Sequence, residues 1–577
     1  MSTDISDLVA LVYRTDWKQL SLSATISHTF DPEVAERLRE RKASQSRRAW
    51  GPVQRTPRSP ELDDEDRRPV HSERHLLIAP GGRYRIESGR GMLEGCDGEH
   101  SWYLSGGDAH RKLEAHRKLE PRPGSVFHGL LTPQWLIASY DLRAMGAEEV
   151  GDRAAIRVTG TPRAASTRRR GYYHLLDRVE VLIDAELGIL LRSRQIFEGQ
   201  TTEYAELRDL IINPPETGMS GIFALPPDVP VEEEEEPFAD FQPPSGVGWQ
   251  VAGAAAGAAA NALGFAVRHA PRRKSGWPTD DEEPGMPGDA VLTPEDWEQR
   301  QPPDDRTVNL LHRTGLPALA LTADVHEWID VLPWVQNFKQ LQEKMPAFLE
   351  GIFGPDAVWD ALAERAAEDG RRHRVARLAV QSPGQYRLDH LSGDLNKRYE
   401  AIACDGEHTT KLFGDRVATG PVQPLDPKVA SMLDPAWLLN GWRLAVIGAA
   451  SIAGRNGIRV RAVAPWSAGN GADNPLTWAD VVVDSKLGIL LRKITYVNDH
   501  PGTCTELRDL CPLGQTTTFR IVPGPGMRSV TESGGPLSDL NLPRPAEAAA
   551  AAATLAAAGA VAVTGWLEKH RARRDRR

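Results

Sequence analysis

The sequence predicts an α+β protein: two tandem modules, each a curved antiparallel β half-barrel closed by helices, with an Ala-rich helix after each. Three observations carry that expectation: a long internal repeat, strand-like runs punctuated by Asp-Gly and Asp-x-x-x-Gly turns, and an uncharged alanine-rich segment after each repeat. Ile183 to Leu210 recurs as Val483 to Leu510 with 12 of 28 positions identical. In the same order, Cys96-Asp97-Gly98-Glu99-His100 returns as Cys404-Asp405-Gly406-Glu407-His408. Pro133-x-Trp135-Leu136 returns as Pro435-x-Trp437-Leu438, and Ile156-Arg157-Val158 as Ile458-Arg459-Val460. The repeat unit is therefore a whole module rather than a short solenoid turn.

A chain of 577 residues exceeds one typical core, in keeping with two modules. Lys and Arg number 69 against 79 Asp and Glu, a net charge of −10, so no general attraction for nucleic acid or anionic lipid is expected. A mean hydropathy of −0.41 excludes a polytopic membrane protein. Four cysteines in this length build no disulfide scaffold. Met1 to Phe30 shows no export signal, and a cytoplasmic location is expected.

Taken in order, module 1 spans 1–215, with a short helix at Pro32 to Lys42 and an open, Arg- and Pro-rich insertion over 41–68. Asp97-Gly98 and Asp405-Gly406 read as hairpin turns, the glycine supplying positive φ. Leu130 to Met145 and Leu433 to Leu444 place Trp, Leu and Ile at helical spacing after a proline. Val179 to Ile183 and Ile189 to Phe197 are a strand and its return about a turn ending at Gly188. Asp480 to Val483 and Ile489 to Val497 repeat this about Gly488. An acidic, proline-containing linker at 216–244 precedes an Ala-rich helix with a basic end at 245–274. A second linker, 275–305, holds six prolines. Module 2 spans 306–525, with helix-like text from Trp334 to Gly370 where module 1 has its insertion. A linker at 526–545 and an Ala-rich helix with a basic tail at 546–577 complete the chain.

The hairpin at Asp97, Gly98, Trp102 and Tyr103, the mid-module helix, the Asp-x-x-x-Gly-x-x-Leu-Arg hairpin ending at Arg192 or Arg492, and the closing Glu206-Leu207-Arg208-Asp209 strand together resemble the LolA/LppX/RseB-type lipoprotein-carrier and sensor superfamily. The resemblance implies an open half-barrel whose concave face holds acyl chains or a lipidated peptide. The tandem copy, the alanine-rich additions and the missing export signal depart from that pattern.

Chemistry-bearing motifs are few. Cys96 with His100, and Cys404 with His408, have ligand-type spacing, but a hairpin splays such side chains and no second pair completes four ligands. No metal and no cofactor is therefore expected. Cys504 and Cys511, an odd seven residues apart, fall on opposite strand faces. With no phosphate loop, paired-carboxylate signature or His-Glu-x-x-His helix, a Cys404/His408 hydrolase ranks third among the readings. The first is non-catalytic binding of a hydrophobic or acylated ligand, with Trp135, Leu136, Trp437 and Leu438 lining the cavity. The bland reading of these four is that they anchor each helix on its own sheet. The second is a scaffold with self-filled barrels that binds a protein partner.

Ser245 to Val267 and Ala548 to Leu567 offer 23 and 20 uncharged residues, long enough to span a bilayer. Few of these are large and apolar, and basic residues follow both, which disfavours two spans. Packing on the protein, or peripheral contact with a membrane through the basic ends, is expected instead.

Overall fold

The computed structural model describes residues 4–50, 68–89, 91–98, 100–105, 108–113, 126–163, 175–214, 222–224, 231–233, 302–313, 319–330, 336, 371–382, 384–391, 400–423, 425–440, 442–463, 478–497, 500–514 and 517–531. Both Ala-rich segments and the Trp334 to Gly370 segment, Gln336 apart, lie outside them.

Module 1 begins with α1 (Ile5–Arg14), capped by Asp4 through Ser6 N and burying Leu8, Val9 and Val12. There follow β1 (Leu22–Phe30), α2 (Pro32–Trp50), β2 (Val70–Ala79), β3 (Arg83–Ser88), β4 (Gly91–Cys96), β5 (His100–Ser105) and β6 (Asp108–Leu113). Next come α3 (Val126–Leu131), α4 (Gln134–Ser139), β7 (Tyr140–Val150), β8 (Arg153–Pro162), β9 (Arg178–Asp184), β10 (Leu190–Phe197), β11 (Gln200–Ile212) and β12 (Val231–Glu233). Module 2 runs α5 (Asp305–Arg313), β13 (Leu321–Asp330), β14 (Arg371–Ser382), β15 (Gln385–His390), β16 (Ala401–Asp405), β17 (His408–Phe413) and β18 (Arg416–Pro421). It continues with α6 (Pro427–Leu433), a 3-10 turn (Pro435–Leu439), β19 (Arg443–Ile452), β20 (Arg455–Val463), β21 (Trp478–Asp484), β22 (Leu490–Val497), β23 (His500–Pro512) and β24 (Arg528–Thr531).

Each copy forms one 12-stranded sheet. The order β12-β6-β5-β4-β3-β2-β1-β11-β10-β9-β8-β7 in the first is matched strand for strand by β24-β18-β17-β16-β15-β14-β13-β23-β22-β21-β20-β19 in the second. Bulges recur as well: Ser23/Thr25 corresponds to Thr322/Asp324, and Ala144/Gly146 to Val446/Gly448. Duplication is thus written into register as well as into sequence.

Three details depart from the sequence reading. The sheets are not wholly antiparallel, because β12 and β24 join β6 and β18 in parallel. The helix begun at Pro32 runs on to Trp50, so the first ten residues of the expected open insertion are helical, while 51–67 lie outside the described residues. The mid-module helices are shorter than expected. In module 1, two short helices flank Thr132-Pro133 and the chain is already strand at Tyr140; in module 2, α6 ends at Leu433 and strand begins at Arg443. A residue before proline resists the α region, and Asp434 accordingly sits at φ −130°, ψ 88°.

The sheets must curve. Cys96 on β4 and Val158 on β8 belong to one buried cluster with Leu8, Leu131 and Leu136 from the helices. Seven strand spacings separate β4 from β8, roughly 34 Å in a flat sheet at about 4.8 Å per strand, while a helix is about 10 Å across. A 12-stranded sheet curls as it twists, and curling around the helices accounts for one continuous core that reaches both strands. The same cluster continues into module 2 through Val308, Leu311, Met432, Leu433 and Leu438. Like meets like at this junction: α1 packs on α5, and α4 on the 435–439 turn. The copies pair as an intramolecular pseudo-dimer with helices between two sheets.

Candidate functional site

The repeated turn explains itself chemically. Asp184 accepts hydrogen bonds from the Glu186 and Leu187 amides at 3.0 and 2.8 Å and pairs with Arg153. Asp484 does the same with the Lys486 and Leu487 amides, at 2.9 and 2.8 Å, and with Arg455. Burial alone would raise both carboxyls, but the arginine and amide hydrogen bonds outweigh it and hold them below the ordinary carboxylate range. Gly188 and Gly488 follow at φ +73° and +76°. A Cβ on Gly188 would lie 2.2 Å from Thr15 Oγ1, because α1 docks there, with Thr15 donating to the Leu187 carbonyl. The Asp97-Gly98 and Asp405-Gly406 turns place glycine at φ +105° and +97°.

The concave face is the surface these turns and bulges shape. Leu22, Ala24 and Ile26 of β1, Leu76 and Ile78 of β2, and Leu321, Ala323 and Val325 of β13 are buried beneath the helices. Leu136 and Leu438 are 0% exposed in this core. Trp135 and Trp437 are half-buried against it. The Trp135 indole donates to the Gly129 carbonyl at 2.9 Å and meets Tyr140 edge-on at 5.8 Å. The Trp437 indole donates to the Ser431 carbonyl at 3.1 Å and meets Trp442 edge-on at 5.2 Å, with the Lys493 ammonium 4.4 Å from its ring centroid. The structure therefore brings these four residues to the junction of helices and sheet, where each has contacts from its own module.

Of the two Cys/His pairs, Cys404 and His408 lie on opposite sides of burial. Cys404 is fully buried whereas His408 is exposed, and Cys96 is buried likewise. Cys504 is buried and Cys511 exposed, and burial pushes the Cys504 thiol up to about 12, far from a reactive thiolate. Among the described residues no group of three or more His, Cys, Asp or Glu side chains is placed to hold a metal. No helix among the described residues is long and apolar enough to cross a membrane.

Residues the sequence did not single out hold the roof of the site. Arg163, 3% exposed, donates to Asp434 at 3.1 Å, to the His312 carbonyl at 2.7 Å and to the Tyr140 carbonyl at 3.1 Å, with Asp141 at 3.4 Å. It thereby bolts module 1 to α5 and to the 435–439 turn of module 2. Burial raises Asp434 to about 6 despite Arg163. Burial and the Arg163 charge together lower His312 to about 3 and keep it neutral, and its Nε2 has no partner among the described residues. In α6, Lys428 pairs with Glu327 on the concave face of β13, which Arg374 also holds. The only textual signal was divergence between the copies: Asp434 stands where module 1 has Thr132, and Lys428 where it has Val126.

No family model matches the chain, and no curated protein does. Solved structures similar to it include MucB in its Pseudomonas aeruginosa complex with MucA (17% identity, 37% of this chain and 58% of that one, TM-score 0.19) and LprF from Mycobacterium bovis (12%, 39% and 100%, 0.23). A LolA superfamily protein from Nitrosomonas europaea is also similar (10%, 38% and 96%, 0.17). The chain spans less than two thirds of MucB, 60% of it in a second structure. The chain is thus similar to MucB, LprF and a LolA superfamily protein.

Proposed function

We propose that the protein is non-catalytic and binds a hydrophobic or acylated ligand between a concave sheet face and the short helices that roof it. One observation supports this most: apart from Glu327 and its partner Arg374, the buried concave positions of β1, β2, β13 and β14 are apolar, and they are roofed by helices of only six to ten residues. Helices so short have little stability of their own and stay in place through packing. An apolar chain entering beneath them exchanges one apolar contact for another, at about 25 cal/mol per Å² of surface kept from water. LprF and the LolA superfamily protein are likenesses of fold, and the ligand is our reading.

A second reading rests on a different observation. The concave residues are dry, and one core unites both copies, which favours a scaffold with self-filled barrels that offers its outer surfaces to a protein partner. Native mass spectrometry of the purified full chain, followed by organic extraction, separates the two. Co-purifying lipid or acylated peptide supports the binder. An apo mass that also fails to shift on adding palmitate or a diacylated peptide refutes it and favours the scaffold. Contact with a membrane through the Ala-rich segments, and cytoplasmic residence, are proposals that vesicle flotation and cell fractionation address.

A further inference from the structure

Resting on the ligand-binding reading above, we infer that the ligand is anionic at its head and that Lys428, at the rim of module 2, takes that head. Lys493 of β22, Thr505 of β23, Glu327 of β13 and Arg374 of β14 are direct cross-strand partners, so a single row across four strands carries them on the concave face. Lys428 of α6 reaches the same row from the roof and pairs with Glu327, which Arg374 also holds. The Lys493 ammonium lies 4.4 Å from the centroid of the Trp437 ring.

The next concave row, one dipeptide step or about 7 Å along the strands, is Leu507, Val325 and Ala376, all buried. Exposure changes sharply between the two rows. The Arg374 and Lys428 side chains are 48% and 50% exposed, whereas Ala376 and Val325 are 7% and 6%. The charged row is therefore the waterline of the concave face, with cations on its wet side and apolar surface on its dry side. An amphiphile fits such a boundary with its tail along the apolar rows and its head at the charged one.

The charges select the head. Three cations gather here, Lys428, Lys493 and Arg374, against Glu327 in the row and Asp426, which caps α6 through Lys428 N at 2.8 Å. Burial would raise the Glu327 carboxyl, but Arg374 and Lys428 outweigh it and keep the group ionised. An ammonium has three donors, so a half-exposed Lys428 can divide them between Glu327 and an oxygen of the head. A neutral head gains no charge-assisted bond, and a cationic one meets three like charges. The class indicated is a carboxylate or a phosphate monoester on a single acyl tail. The same row in module 1 is Ser193, Ala205, His28 and Ser72, without a fixed charge, so the fold itself does not require one.

Calorimetric titration of the full chain tests this with four probes that share one tail: palmitate, palmitoyl lysophosphatidate, monopalmitin and methyl palmitate, each below its micellar concentration. The anions should bind about fivefold or more tighter than the neutral pair, the size of one partly exposed charge-assisted contact. Lys428→Met should bring that ratio toward one, and Lys428→Arg should keep it. Should K428M fail to fold, raising the salt from about 20 mM to about 500 mM with the wild type must shrink the ratio. Preference for palmitate alone identifies a carboxylate head, and preference for lysophosphatidate alone a phosphate. Equal affinity for charged and neutral heads, or a ratio that survives K428M, overturns the inference and leaves the ligand reading standing. Binding of none of the four refutes the ligand reading and this inference with it.

Discussion

Arg163 should matter more to stability than the carboxylate it faces. Among the described residues its guanidinium makes three hydrogen bonds within a buried junction, at 3.1 Å to Asp434 and to the Tyr140 carbonyl and at 2.7 Å to the His312 carbonyl. Arg163→Met orphans two carbonyls and leaves Asp434 without its counter-charge, a loss of about 3 to 4 kcal/mol. Asp434→Asn keeps a side-chain oxygen for the Ala436 cap. With the carboxyl held at about 6, its neutral form lies only about 1.4 kcal/mol above the ionised one at pH 7 in the fold. This variant should therefore stay within about 1.5 kcal/mol of wild type. The pH dependence sharpens the contrast. Asp434 is raised from 3.8, so its contribution is complete below 3.8 and is lost as pH rises through about 6. His312 is lowered from 6.5, so its contribution is lost as pH falls from 6.5 toward about 3. Between roughly pH 4 and 6 the two slopes oppose one another in the wild type, and in D434N only the histidine slope remains, about 1.4 kcal/mol per pH unit toward instability on acidification. Urea midpoints at several pH values measure all of this. D434N proving more damaging than R163M, or showing the wild-type pH slope, would refute the reasoning.

Other expectations follow from the same structure. Gly188→Ala meets both a positive φ and Thr15 Oγ1 at 2.2 Å, so it should lower the thermal midpoint by far more than Gly151→Ala, whose φ is +64° but whose Cβ would meet nothing within 4 Å. The second should cost about 1 kcal/mol. Asp184→Ala and Asp484→Ala each remove the carboxylate oxygen that accepts from two turn amides, and an arginine's partner, and each should cost about 2 to 4 kcal/mol in chemical denaturation. Asp184, Asp484, Glu206 and Glu327 are all held below their ordinary values, so the stability they lend is present above the unfolded carboxylate pKa and fades as pH falls through the lowered ones. An acid titration followed by tryptophan fluorescence checks this, and a midpoint that rises on acidification below pH 4 would contradict it. Leu136→Asp and Leu438→Asp place a charge in a dry core and should each unfold the chain, seen as lost near-ultraviolet dichroism. A folded variant that merely fails to take up palmitate would show that the site tolerates water.

The hairpins were legible because their chemistry is local: an aspartate that accepts its own turn amides, and a glycine with positive φ, leave the same letters at 184–188 and 484–488. The tandem organisation was legible for the same reason. The ends of the mid-module helices were not, since Trp, Leu and Ile at helical spacing continue smoothly into the first buried residues of β7, and only Pro133 and Pro435 mark the break. The parallel edge strands rest on three or four residues that return from far along the chain, and no periodicity announces them. Pairing of the copies was invisible for a different reason. An apolar stripe on α1 reads identically whether it faces its own sheet or α5 as well, and Arg163 follows a proline in text that suggests nothing more than a strand end.

The shared helical layer bears on how the polypeptide would behave if severed. A protease cutting between 275 and 301 would release no free halves, because each fragment would expose the oily flank that the other had covered. The nicked product should migrate in gel filtration as a single particle and separate only under denaturant, and each fragment made alone should be adhesive and poorly soluble. Linkage through the backbone is then a matter of keeping the halves at high local concentration, while affinity between them resides in the helices.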